Sequence, residues 1–129
     1  MNIKKMESDL KMENFYFKEC MVDRKSSIEK GGLILNLRKN IEKIANDSYS
    51  VELTLTICKE KNDLNVKVVA IANFSMQDDD AELVKSVMNT NTVAIMFPFI
   101  RSQVSLLTTQ PGMTPIILPP INTTKFNEN

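Results

Sequence analysis

The sequence predicts an α+β domain: a four-stranded antiparallel β-sheet with helices packed on one face. Three observations carry this. Tyr49, Val51, Leu53, Leu55 and Ile57 alternate strictly with polar residues, and after a polar turn the alternation resumes at Leu64, Val66, Val68, Ala70, Ala72 and Phe74. Residues 92–109 instead place Val93, Met96, Phe97, Ile100, Val104 and Leu107 at helical spacing. The strand-like segments come first and the helix-like segments follow. A period of two marks half-buried strands, and a period near 3.6 marks an amphipathic helix.

Taken in order, residues 1–12 are charged and show no clear period, which predicts a mobile N-terminal arm. Residues 13–129 then form a single domain, as a chain of 129 residues allows. Residues 14–23 alternate loosely around Phe15, Phe17 and Met21 and read as the first strand. The polar stretch that follows ends in Gly31-Gly32, a loop signal. Leu33, Leu35 and Leu37 share one face of a second strand, while the continuation through Ile41 and Ile44 fits a helix as well as a strand. The alternating pair described above is an antiparallel hairpin. Its second strand is apolar on both faces, because Val69 and Ile71 occupy the other side. Such a strand needs cover on both faces, which points to a second subunit. Phe15, Phe17, Val69 and Ile71 are therefore the candidate oligomer-interface residues. Asp78-Asp79-Asp80 opens a short helix through Met88, and residues 89–91 are expected to break it. The main helix follows, with Pro98 in its first turn or at a kink.

Composition excludes several function classes. Lysine plus arginine and aspartate plus glutamate number 16 each, so no global field draws the chain to nucleic acid or an anionic membrane. Uninterrupted apolar runs are too short to span a bilayer, and the amino terminus is charged rather than signal-like, which predicts a cytoplasmic protein. The chain has no histidine, which removes catalytic triads, most zinc sites and the commonest general base. Cys20 and Cys58 read as reduced small hydrophobes rather than as a disulfide or metal site. With Gly31, Gly32 and Gly112 the only glycines, there is no phosphate-cradling loop. The carboxylates Asp78, Asp79, Asp80 and Glu82 are read as helix capping and favourable charge at a helix amino end. No catalytic residue, metal site or cofactor is expected.

What remains is surface chemistry. Residues 114–121 contain Pro115, Pro119 and Pro120, which forbid a helix and favour an extended arm that must lie against something else. Met96, Phe97, Phe99, Met113, Ile116, Ile117, Leu118 and Ile121 form a dense apolar, partly flexible set spanning helix and arm, which suits the binding of many unrelated partners; they are the candidate binding residues. Core packing is the competing reading, favoured for Val93, Ile100 and Val104. Successive residues of an extended arm point to opposite sides, so they cannot all enter one core. Methionine and phenylalanine adapt to irregular partners.

Phe97-Pro98-Phe99-Ile100-Arg101 resembles the Phe-Pro-Tyr-x-Arg signature of SecB-type protein-export chaperones, and Leu118-Pro119-Pro120-Ile121-Asn122 is similar to the Leu-x-Pro-hydrophobic-Asn that follows it in that family. The spacing and the break at Pro111-Gly112 also fit. The resemblance covers roughly residues 33–122 and favours strand for the segment opening at Leu33. It implies a homotetramer, a dimer of dimers, holding unfolded precursor proteins in hydrophobic grooves without nucleotide. Three departures matter. The family continues into a further helix after the Asn, and this helix is expected to be missing. Its members tend to be acidic, which helps dock the motor SecA, whereas the net charge here is zero. A strand that alternates Leu with Asp in the family reads Leu35-Asn36-Leu37-Arg38 here. SecA docking is thus expected to be weak or absent, and a dedicated chaperone of an antitoxin becomes a narrower alternative. A structural or small-ligand protein on the same scaffold is the reading from a different class.

Overall fold

A computed structural model describes residues 9–25, 32–59, 61 and 63–120. Four strands, β1 (Lys11–Arg24), β2 (Leu33–Ala45), β3 (Ser48–Lys59) and β4 (Leu64–Ser75), form one antiparallel sheet in the order β1-β4-β3-β2. One helix, α1 (Ala81–Thr108), crosses one face of it, and an extended arm follows to Pro120. The α+β architecture predicted from the alternation is the one observed.

The register decides which side chains meet the helix. Leu53 stands opposite Ala70, Leu55 opposite Val68, and Ile57 opposite Val66. All six are buried and share a cluster with Val93, Met96, Ile100 and Val104 of the helix. On β2, Leu35, Leu37, Lys39 and Ile41 stand opposite Ile57, Leu55, Leu53 and Val51, which fixes them on this same face. The helix packs chiefly on β4, with further contacts to β1 and β3, and leaves β2 outside its main footprint.

The opposite face is covered by no helix among the described residues and mixes ion pairs with apolar side chains. Val69 stands opposite Thr54 and Glu19, and Ile71 opposite Glu52 and Tyr16. Lys67 pairs with Glu19 at 3.4 Å and Lys18 with Glu52 at 3.8 Å. Neighbouring side chains leave Val69 only 5% exposed within one chain, so its burial does not by itself require a second subunit.

Several expectations change. β2 stays extended through Ala45, because pairing with β3 from Leu33 to Ala45 outweighs the local pattern that also fitted a helix. β1 begins at Lys11, so the last two residues assigned to the N-terminal arm belong to the sheet. The two expected helices are one continuous helix of 28 residues. Around the expected break, Asn89 Nδ2 donates to the Lys85 carbonyl and Thr92 Oγ1 to the Met88 carbonyl. Val87, Met88, Thr92 and Val93 are buried there, and this packing overrides the weak helix propensity of Asn and Thr. Pro98 sits mid-helix, where its ring leaves the Ala94 carbonyl without its usual donor. Both residues are exposed, so water can satisfy that oxygen and the helix continues. Fusing the segments gives a helix long and apolar enough to cross a membrane by length and composition, contrary to the sequence expectation, yet its buried stripe lies in the core here. Asp80 caps it, accepting from the backbone N–H groups of Glu82 and Leu83 at 3.1 and 3.2 Å, as expected for that acidic cluster.

Candidate functional site

After α1 the chain turns sharply. Met113 N donates to the Gln110 carbonyl at 3.0 Å, and Gly112 has φ of 77°. Proline second and a positive-φ glycine third is the arrangement a type II turn requires. Arg24, at the end of β1, donates to the Gly112 carbonyl at 2.8 Å and holds this turn near the end of the sheet where β2 begins. The arm then runs back along the helix. Ser105 Oγ donates to the Ile116 carbonyl at 3.0 Å, and the Ile116 N–H donates to Thr108 Oγ1 at 2.8 Å. Alternation along the arm buries Ile116 and Leu118 and leaves Ile117 81% exposed.

The two flanks of α1 differ. Phe99 packs on Phe15 of β1 with ring centroids 4.9 Å apart, and Gln103 Nε2 approaches Cys20 Sγ of β1 at 3.5 Å. The arm occupies the flank of Pro98, Arg101 and Ser105, on the opposite side of the core-facing stripe and hence toward β2. Each flank is bordered by apolar side chains that are exposed or half-buried. On the β1 side, Phe15 and Phe17 meet edge to face at 5.2 Å and are half-buried, and Phe99 remains 48% exposed beside them. On the β2 side, Leu33 and Leu35 are 38% and 46% exposed, and Leu37 is half-buried. Both β1 and β2 are rims of the sheet, so each presents backbone hydrogen-bonding groups on its outer side.

The structure divides the apolar residues expected to form a groove. Met96, Phe97, Ile116 and Leu118 are buried in the core and do not present surface in this conformation. Phe99 and Ile117 are exposed, and Met113 is half-buried against the core. Ile121 lies outside the described residues. The four expected interface residues do not share a surface: Phe15 and Phe17 face the helix side, Val69 and Ile71 the open side. Sequence reasoning did not place Leu33 and Leu35 at the site. Their shared face was visible as alternation, but nothing in the sequence showed that the helix would leave the start of β2 exposed. Ile95 and Leu106 were missed because both fall off the core stripe of a helix that is apolar on more than one side.

Lys39 ends the leucine strip. It is half-buried on the helix side of β2 and donates from Nζ to the Asn89 carbonyl at 3.1 Å. Burial pushes its ammonium below the ordinary lysine value. A cavity of about 440 Å³ lies further along, between the helix start and the sheet end, lined among others by Lys43, Asp47, Tyr49, Asp78, Asp79 and Lys85. No group of three or more metal-ligating side chains exists among the described residues. Cys20 is on the helix face of β1 and Cys58 on the open face of β3, and both are free thiols.

Comparison with known proteins gives concordant results. The family described as preprotein translocase subunit SecB matches residues 4–128. Protein-export protein SecB 2 of Francisella tularensis subsp. novicida is 28% identical over 90 residues, covering 67% of this chain and 61% of that protein. An uncharacterised protein of Methanocaldococcus jannaschii is 37% identical over 49 residues, 38% of this chain and 32% of its own. The SecB-like chaperone of Mycobacterium tuberculosis, solved with a ChAD peptide from the HigA1 antitoxin, superposes with a TM-score of 0.73 at 12% identity, covering 92% of this chain and 91% of that one. With a family match across nearly its whole length, and with the Phe97–Arg101 and Leu118–Asn122 motifs in order, the chain belongs to the SecB family.

Proposed function

We propose that this protein is a chaperone that holds unfolded polypeptide segments without nucleotide, burying their apolar side chains in the grooves flanking α1. The observation that carries this reading is the exposed apolar surface beside sheet rims that pair with no further strand among the described residues: Phe99 on one flank, Leu33, Leu35 and Ile117 on the other. Such a surface offers side-chain burial together with backbone hydrogen bonds that ignore side-chain identity. Each large apolar side chain buried by a client contributes roughly 1.5–3 kcal/mol before ordering costs. Several weak contacts along one extended client then act through effective concentration. The protein works by binding rather than catalysis, in the cytoplasm and as a homotetramer.

The named relatives favour protein export as the setting. Care of one antitoxin is the second reading, supported by the fold shared with the antitoxin-bound mycobacterial chaperone and by the net charge of zero. On either reading SecA affinity is weak, since Asn36 and Arg38 place no negative charge on that face of β2.

The test is aggregation of a chemically unfolded client diluted with stoichiometric protein in the absence of nucleotide. Suppression is expected, and Phe99→Ser with Ile117→Ser should weaken client affinity about tenfold or more, from the burial energies above. Absence of suppression by the folded protein would remove general chaperoning.

A further inference from the structure

Resting on the polypeptide-binding reading above, we infer that the β2 rim selects extended segments in which an acidic residue lies two positions from an alternating apolar run, with Lys39 receiving the carboxylate.

The argument begins with register. Leu33, Leu35, Leu37 and Lys39 occupy successive same-face positions of β2, as their partners Lys59, Ile57, Leu55 and Leu53 on β3 show. The three leucines form the strip, and Lys39 closes it under Asn89 of the helix. A strand added to this rim would place its own alternate residues beside these four, since side chains repeat every two residues in any strand. Apolar residues then meet the leucines, and the next residue of the same face meets an ammonium.

Charge identifies the occupant. Among the described residues no carboxylate pairs with Lys39, whose hydrogen bond goes to a helix carbonyl. Partial burial raises the cost of its charge, so a counter-anion is worth more there than at a fully hydrated lysine. The other cation on this face of β2, Lys43, differs: it lines the cavity that also holds Asp47, Asp78 and Asp79. The uncompensated positive charge therefore stands at the end of the leucine strip. An apolar segment alone would leave it unpaired, and a basic one would meet repulsion.

The experiment uses three synthetic peptides that share an alternating Leu run and differ only in the residue flanking it at both ends: Glu, Gln or Lys. Affinity for the full chain is measured by fluorescence anisotropy at low and moderate salt, alongside suppression of client aggregation. The Glu peptide is expected to bind about tenfold more tightly than the Gln peptide, and the Lys peptide most weakly. Lys39→Met, which keeps the aliphatic stem, should abolish that preference while leaving the Gln peptide's affinity nearly unchanged. Lys39→Glu should reverse it toward the Lys peptide. Equal binding of the three peptides, with aggregation still suppressed, would overturn the inference and leave the chaperone reading standing. No peptide binding, with Lys39→Glu breaking the protein's own assembly, would assign the rim to a second copy of the chain and overturn it as well. Loss of both peptide binding and suppression would remove both readings.

Discussion

At the residue scale, a few polar side chains hold the backbone where the apolar pattern alone would leave it undecided. Asp80 satisfies two of the amide groups that open the helix. Asp80→Ala should cost about 1 kcal/mol, the usual value of an N-cap, read as a lower urea midpoint with unchanged slope. That cap was legible in the sequence, since three aspartates before an apolar period are a helix-start signal. The turn at Pro111-Gly112 was legible for the same reason, as only certain residues tolerate its backbone angles. The anchoring of Ile116 by Ser105 and Thr108 was not legible. Hydroxyl residues in a helix carry no sign of which distant backbone they will meet.

At the element scale, the clearest gap between pattern and fold is the helix. Asn89, Thr90 and Asn91 are poor helix formers, and Pro98 lacks an amide hydrogen, yet Ala81–Thr108 is unbroken. The polar residues cost a few tenths of a kcal/mol each and the interior proline about 3 kcal/mol. Burying Val87, Met88, Val93 and Met96 contributes roughly 1.5–3 kcal/mol for each side chain. The strands were read more faithfully because their alternation reports burial directly. The arm is held to the helix by two hydrogen bonds at Ile116 and by burial of Ile116 and Leu118. Thr108→Val keeps the shape of the side chain but removes the acceptor for the Ile116 amide. It is expected to loosen the arm, seen as faster amide exchange at Ile116 and Leu118 and earlier proteolytic cleavage near Met113, with the sheet unaffected.

At the scale of the whole molecule, the fold class followed from the order and period of the segments, but the site did not. Residues such as Met96 and Leu118 are as hydrophobic as Phe99 and Ile117, and only the packed structure shows which pair faces inward. Oligomerisation belongs to this scale too. Tyr16, Met21 and Ile34 on the open face, with Phe99, Leu33 and Leu35 on the helix side, expose apolar surface on both sides of a thin two-layer molecule. A protein of this size with so much of it is expected to self-associate. Sedimentation velocity should show a species close to four times the 14.7 kDa chain mass. A monomer at micromolar concentration would contradict the proposed tetramer.

The order of the elements has a consequence for synthesis. All four strands precede α1 in the chain, and α1 meets the length and apolarity of a bilayer-crossing segment. As the chain leaves the ribosome, the strands that form the docking surface emerge before the helix does, and the domain closes as a unit once the helix is out. The greasy helix therefore enters water with those strands already outside, and partitioning into lipid competes with a fast intramolecular step. A circular permutant that delivered the helix first would reverse that race, and the same residues would arrive with the membrane as their nearest apolar shelter.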